Sequence, residues 1–421
     1  MPEDRPITIG MSRRQWTVVL LLTASVIINY VDRSNLSIAA TLVQRQLGLS
    51  PLQIGSLLSA FFWTYALLQL CGLVGWFTDR LPVGWVMASG YAVWSVATVL
   101  IGLTSSFTAM FLALLLLGTG ESVAYPCYSR MFAQLPEHQR GKANALIDAG
   151  TKLGPAAGAF VGGLLLSHVG WRMLFIALGS GGLLWLLPWL RFMPRYEIHD
   201  RAAGSANEAS FGKLLRLRCA WGTFFGHFCG NYFFYYLLTW LPVYLVHEQK
   251  MSIGSMSRLT SALFLLIASS TAATGWISDR LIRRGVSVTR VRLTVVVGGL
   301  GIASSLIALA FIRHNPALSL AILALASAGY GAFASSHWAI TQTLAGPTFA
   351  GRWSSLQNGV ANLSGIVAPW TAGLIAQLNG SSRLAFAVTG IVALAGALIW
   401  ALLVRRVEPV EWNAAPFTIA S

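Results

Sequence analysis

At 421 residues, 55% of them apolar and only 10% charged, the chain has too little polar surface for a soluble domain, where about a quarter of residues are charged. Its apolar residues fall in runs of about 20 or more, the length that crosses ~30 Å of hydrocarbon. The net charge of +15 is scattered between those runs, which excludes a folded basic face for nucleic acid and leaves membrane orientation as its account.

The N-terminus offers no cleavable leader. Arg13-Arg14 precedes an apolar run that continues too long and carries Asp32-Arg33, so it reads as a retained first helix. Twelve spans are expected. The first six lie near 16–41, 52–77, 84–104, 107–133, 142–167 and 171–192, and a polar stretch follows. The last six lie near 219–246, 255–278, 291–312, 317–345, 353–377 and 384–404. The reading is an all-α integral membrane protein: a six-helix bundle over 1–193, a cytoplasmic linker over 194–216 and a second bundle over 217–421. Cys71, Cys127, Cys219 and Cys229 sit in or beside apolar runs without metal-ligand spacing and read as buried thiols.

Lysine and arginine placement sets the orientation. With both termini on one side, that side holds 21 of the 29 basic residues and the other holds 6, which places the termini and linker in the cytoplasm of a bacterial-type inner membrane. An odd number of spans would scramble that split.

Two echoes indicate an internal duplication. Gly75-Trp-Phe-Thr-Asp79-Arg80-Leu81 returns as Gly275-Trp-Ile-Ser-Asp279-Arg280-Leu281, each at the end of a long apolar run. Gly141-Lys142 opens span five and Gly351-Arg352 opens span eleven; aligned from those glycines, Asp148 matches Asn358, Lys152 matches Asn362 and Gly163 matches Gly373.

A charge at the bilayer centre costs ~2.5–3.5 kcal/mol on insertion scales, so the charges inside spans need a reason. Asp32, Arg33, Glu121, Asp148 and Lys152 all lie in the first half. Ion-pairing for helix packing could explain any one of them, and five together point to the lining of a polar cavity. In span five Gly150, Gly154, Gly158 and Gly162 form a smooth ridge at every fourth residue. Asp148 and Lys152 are out of phase with it by about 200°. The glycines therefore face a neighbouring helix and the charged pair faces away, where the two could also neutralise each other as i,i+4 partners.

Arg33 stays protonated when buried and presents a fork that matches a carboxylate, which makes it the anion receptor. Asp32 and Glu121 can gain and lose protons, so a fixed cation stands beside two groups able to carry them. The second half supplies aromatics and amides instead: Asn231-Tyr232-Phe233-Phe234-Tyr235-Tyr236 in span seven, Ser335-Ser336-His337-Trp338 in span ten, and Gln357-Asn358 with Asn362 in span eleven. The aromatics serve either as packing or as ligand contacts. His337 is either a proton site or a hydrogen-bonded neutral ring.

With its six-plus-six spans and paired Gly-x-x-x-Asp-Arg signatures, the whole chain resembles the major facilitator superfamily. More narrowly, Tyr30-Val-Asp32-Arg33-Ser-Asn35-Leu, Glu121 followed by Pro126, and Leu238-Thr-Trp240-Leu-Pro242 resemble the anion:cation symporter family, which includes sugar-acid permeases, sialin and vesicular glutamate transporters. That resemblance implies an anion site between the halves, worked by alternating access. It implies substrate contacts from Tyr30, Arg33, Tyr65, Ser335, Trp338 and Asn358, protonation at Asp32 and Glu121, and a gate formed by Asp79, Arg80 and Arg130 with Asp279 and Arg280 as second-half counterparts. The sequence departs from the sugar-acid permeases at Leu114, where they carry an arginine, and near Thr151, where they carry a glutamine. Lys152 is expected to replace the missing cation, either holding the anion or controlling Glu121. An aromatic or other less polar carboxylate is as admissible as a sugar acid.

The expected function is therefore proton-coupled symport of a small organic anion by a monomer embedded in lipid, with protons as the coupling ion and no other cofactor. An exporter or exchanger on the same fold is the alternative, and a non-transporting sensor a lesser one. No nucleophile–base pair or metal-ligand motif in the spans suggests an enzyme.

Overall fold

A computed structural model describes residues 11–132, 134–135, 137–193, 208–312 and 315–412. Several helices begin where a polar side chain caps the first turn. Ser12 opens α1 (Arg13–Leu47) with a capping box and Ser50 does the same for α2 (Pro51–Leu70), whose Pro51 suits the first helical position. Gly48, at φ 62°, ends α1 in the left-handed conformation that glycine adopts without strain. Next come α3 (Leu73–Arg80), α4 (Val83–Leu103), α5 (Phe107–Glu121), α6 (Ala124–Phe132) and α7 (Glu137–Phe192). The second half holds a short α8 (Glu208–Arg216), α9 (Arg218–His247), α10 (Ile253–Arg283) and α11 (Val288–Ala303), which tightens into a 3₁₀ segment over Ser304–Ala310. It closes with α12 (Pro316–Ala334), α13 (His337–Asn362), α14 (Ser364–Asn379) and α15 (Arg383–Leu403).

Among the described residues ten helices are long and apolar enough to cross a membrane. Two features separate that number from the expected twelve. One of the ten, Lys142–Phe192, is broken at Gly170, whose φ of 74° and ψ of 172° turn the chain between the fifth and sixth expected spans. The other is α9, 30 residues long but rich in His, Asn, Tyr and Trp, which dilute its hydropathy. Several expected spans are also interrupted. The second bends at Cys71–Gly72, the fourth at Ser122–Val123 and the tenth at Ser335–Ser336. The outer surface is apolar, with Leu184, Leu187, Leu103, Leu112 and Leu398 all exposed, as hydrocarbon surroundings allow.

Small residues set the close helix crossings. The ridge of α7 packs on α1: a Cβ at Gly154 would lie 2.5 Å from Tyr30 Cβ, one at Gly158 2.1 Å from Ser34 Oγ, and one at Gly162 2.0 Å from Asn35 Oδ1. The duplication appears in packing as well. Gly90 of α4 meets Gly120 of α5, and Gly299 of α11 meets Gly329 of α12, with the same spacing in each half.

The halves of the chain touch most closely at the end that carries the α1–α2 turn. There Gly55 of α2 meets Gly373 of α14, Gly163 of α7 meets Ser257 of α10, and Leu52 N donates to Gln377 Oε1 at 3.3 Å. The α9–α10 turn at the same end is tied to α15 by Glu248, which accepts from Ser382 N at 2.6 Å and pairs with Arg383 at 3.0 Å. Toward the opposite end, which carries the start of α1, Asp148 has 53% of its side chain exposed and Asn144 is exposed.

Candidate functional site

The break between α5 and α6 leaves Glu121 as the last residue of α5, facing the middle of α1. Arg33 Nε donates to Glu121 Oε2 at 2.8 Å, with the two side chains 3% and 0% exposed. Three rings box the guanidinium: Phe61 at 4.5 Å, Tyr65 at 4.7 Å and Tyr30 at 4.9 Å from its carbon. Desolvation strengthens such cation–π contacts to about 2 kcal/mol or more. The polar groups here are not fully used. Arg33 Nη2, Glu121 Oε1 and Asp32 Oδ1 are buried without a hydrogen-bond partner, and an unmet buried polar group costs about 1–3 kcal/mol, more if charged. An acceptor for Arg33 Nη2 is the chemistry this cluster is suited to recognise.

A hydrogen-bonded bridge joins this cluster to the second half. Tyr235 of α9 packs on Phe62 at 4.4 Å and donates to Asn362 Oδ1 at 2.6 Å. Asn362 Nδ2 donates to Asn358 O at 2.9 Å, Asn358 Nδ2 to Gln69 Oε1 at 3.4 Å, and Gln69 Nε2 to Ser122 O at 3.5 Å. Thus α9, α13, α2 and the α5–α6 break share one chain of polar contacts beside Arg33.

The remaining expected ligands stand on another wall. Lys152 donates to Asp148 and to Thr151 Oγ1, the latter at 2.9 Å, so the i,i+4 neutralisation exists. It also lies within electrostatic range of His227 and His337. Those rings are 4.5 Å apart, and Trp338 stands 4.8 Å from His227. Ser335 Oγ donates to Ala332 O at 2.7 Å and sits 3.2 Å from Ser336 Oγ. A run of rings links the two walls: Phe234 of α9 stands 6.5 Å from Tyr30 and 5.6 Å from Tyr330, and Phe333 stands 5.8 Å from Tyr330 and 4.9 Å from His337. Tyr30, Arg33, Tyr65, Asn358, Asp32 and Glu121 therefore gather at one pole, and Lys152, Ser335 and Trp338 at the other. The hydrogen bonds of Lys152 go to Asp148 and Thr151 and not to Glu121, and Leu114 is buried in the apolar core.

The residues expected to form the gate share one arginine–tryptophan arrangement in the two copies. Arg80 lies over Trp76 at 4.6 Å and Arg280 over Trp276 at 5.2 Å, each on its own helix. Asp279 accepts from Arg292 Nη2 at 3.4 Å, a contact within the second half. The side chain of Asp79 lies outside the described residues, and Arg130 stands near the end of α6, partly buried and with a partner of its own.

Phe61 and Gln69 belong to the site although the sequence does not single them out. A phenylalanine in an apolar helix carries no contrast, and Gln69 is marked only by being an amide inside a span. The Leu238–Pro242 motif is used for packing: Trp240 Nε1 donates to Pro369 O at 2.9 Å, fastening α9 to α14. Among the described residues no cluster of three His, Cys, Asp or Glu side chains is placed to hold a metal, and all four cysteines are free.

The sequence matches the profile of the Major Facilitator Superfamily over residues 22–369. It is 32% identical over 406 residues to a probable chloroplastic anion transporter 4 of rice, spanning 92% of this chain and 68% of the relative. It is 30% identical over 426 residues to the D-galactonate transporter of Escherichia coli, spanning 94% and 97% of the two. Its fold matches the crystal structure of a bacterial homologue of the human lysosomal transporter Spinster, solved inward-facing and unoccupied, with TM-score 0.80 and 18% identity over 94% of this chain and 98% of the other.

Proposed function

The chain belongs to the major facilitator superfamily, a family of membrane transporters rather than enzymes, and from that premise we propose that it is a proton-coupled symporter of a small organic anion. The observation that carries this reading is the sealed Arg33–Glu121 pair with a guanidinium nitrogen left unpartnered beside it. An incoming carboxylate that takes Arg33 displaces Glu121. Breaking a buried pair so that one charge is left alone costs about 3–5 kcal/mol, and a proton on Glu121 removes that cost. Substrate and proton then enter together because each makes room for the other. Asp32, adjacent and without a partner on Oδ1, is the second proton site.

The surplus of basic residues at the end carrying the termini makes that end cytoplasmic, and the exposure of Asp148 and Asn144 on that side, against the tight Gly55–Gly373 contact at the other end, supports an inward-facing arrangement. Substrate binding shifts the balance between inward and outward openings only by favouring one or the intermediate between them. A neutralised cavity can close, whereas Arg33 parted from Glu121 without a replacement anion cannot. The protein works as a monomer in a bacterial-type plasma membrane, with protons as the coupling ion. The names of its relatives, an anion transporter and a D-galactonate transporter, support a carboxylate substrate.

Reconstitution into proteoliposomes tests this. An imposed proton gradient should drive accumulation of a radiolabelled carboxylate drawn from a panel of sugar acids and monocarboxylates. Arg33→Ala and Asp32→Asn should abolish that accumulation. Full, pH-independent uptake by both variants would overturn the assignment.

A further inference from the structure

The two copies of the Gly-Trp-x-x-Asp-Arg-Leu motif diverge immediately after it. In the first, Arg80 is the last basic residue before α4 ends at Leu103. In the second, Arg280 is followed by Arg283, Arg284, Arg290 and Arg292 before α11 ends at Ala303. A single arginine at this turn serves the orientation of the first half, so the four extra ones in the second call for another account.

Two contacts gather them with a further pair. Arg292 Nη2 donates to Asp279 Oδ1 at 3.4 Å, drawing the start of α11 to the end of α10. Val407 N donates to Thr289 Oγ1 at 3.0 Å, which lays the segment after α15, with Arg405 and Arg406, beside the residue that precedes Arg290. Over residues 275–292 and 403–408 there are seven arginines against two carboxylates, Asp279 and Glu408. Arg283, Arg284, Arg290 and Arg406 are exposed, and among the described residues their guanidinium groups have no hydrogen-bond or ion-pair partner. Arg290 also stands in the first turn of α11, the end of a helix that disfavours a cation, and no acidic residue offsets it there. Like charges held together in this way repel one another until an anion lies among them.

The same corner is the edge of an apolar surface. Trp276, Ile277 and Leu281 of α10 and Leu402 of α15 are exposed. Helical spacing carries that surface straight into the arginines: Trp276, Arg280 and Arg283 share one row of α10, and Ile277, Leu281 and Arg284 the next. A ligand that suits both parts has an anionic head and a hydrocarbon body.

We propose that the corner formed by α10, α11 and the end of α15 is a binding site for an anionic phospholipid of the leaflet on the side of the termini. Its phosphate lies among Arg283, Arg284, Arg290 and Arg406, and its acyl chains run against Trp276, Ile277 and Leu281. A zwitterionic lipid offers the same phosphate but brings an ammonium into the cluster, so phosphatidylglycerol is favoured over phosphatidylcholine. The site stands apart from the transport reading, because it forms on the second half alone and is measured without substrate.

The test is native mass spectrometry of the purified full chain, released from nanodiscs that hold equal amounts of phosphatidylglycerol and phosphatidylcholine. The unmodified protein should retain phosphatidylglycerol in preference by roughly tenfold or more. Arg283→Gln/Arg284→Gln/Arg290→Gln should erase that preference, and Arg284→Gln alone should lower it partway. Arg283→Lys/Arg284→Lys/Arg290→Lys, which keeps the charges, should hold most of it. Removing as many charges at the opposite end, in Arg45→Gln/Lys250→Gln/Arg258→Gln, should leave it unchanged. Phosphatidylglycerol should raise the melting temperature of the unmodified protein and not that of the triple glutamine variant. Equal retention of the two lipids by the unmodified protein overturns the site, as does a preference that survives the triple glutamine variant or falls as far in the opposite-end variant. Displacement of the lipid by millimolar inorganic phosphate also overturns it, since the corner would then read a free anion without need of acyl chains.

Discussion

Gly55 and Gly373 meet backbone to backbone: a Cβ on either would lie 3.0 Å from the Cα of the other. The contact crosses between the halves of the chain, and it has no room for a side chain: a Cβ at Gly55 would also lie 2.6 Å from Pro369 O and one at Gly373 2.8 Å from Pro51 O. Gly55→Val should therefore hold α2 off α14, lower the melting temperature and reduce uptake, since overpacking costs about 1–3 kcal/mol. An unchanged melting temperature with full uptake would show that this crossing does not fix the approach of the two halves.

Glu121→Gln should uncouple the protein. Glutamine keeps the shape and a hydrogen bond to Arg33 but carries no charge for a substrate to displace and no proton to deliver. Binding of a carboxylate should persist and lose its dependence on pH. Exchange across the membrane should continue while accumulation against a gradient fails. Counterflow and gradient-driven uptake, measured side by side, check this, and retained accumulation would remove Glu121 from the coupling.

Arg33→Lys should not behave as a conservative change. An ammonium is a point charge that cannot offer a substrate carboxylate the planar fork of a guanidinium, and it stacks poorly on three rings. Substrate affinity should fall by about tenfold or more, consistent with ~1.5–3 kcal/mol for a hydrogen bond to a charged group. Titration calorimetry at fixed pH reads that change directly.

Gly158→Leu tests the α1–α7 crossing. The first added carbon already lies 2.1 Å from Ser34 Oγ and 2.9 Å from Val31 Cα, so the helices must separate. Overpacking of this kind costs about 1–3 kcal/mol or more. A drop in melting temperature is expected without any change in the pH dependence of whatever uptake remains.

Sequence periodicity is enough to read the α7 ridge, because glycines at every fourth position of an apolar run mark a face on which another helix packs closely. The same periodicity sets Asp148 and Lys152 on the opposite face. It does not show that Arg33 is already occupied: Glu121 lies 88 residues away in the chain, and pairing at that separation is decided by how α5 breaks. The box around Arg33 is equally hidden, since Phe61 looks like any lipid-facing phenylalanine until α2 is set against α1. The repeated Gly90–Gly120 and Gly299–Gly329 contacts stay out of sight for a related reason, as glycine is too common in these helices for one pair to stand out.

Trp76 and Trp276 are 47% and 59% exposed, each with the guanidinium of Arg80 or Arg280 laid across it. An indole prefers the boundary between hydrocarbon and headgroups, and an arginine on top of it extends toward phosphate. The duplicated motif thereby gives each half its own float at the same waterline. When one half tilts against the other, neither can sink or rise without dragging an aromatic ring and a charge out of the layer each prefers. For the transport cycle proposed above, this favours a roll of the halves about a fixed depth over a translation of the bundle through the bilayer.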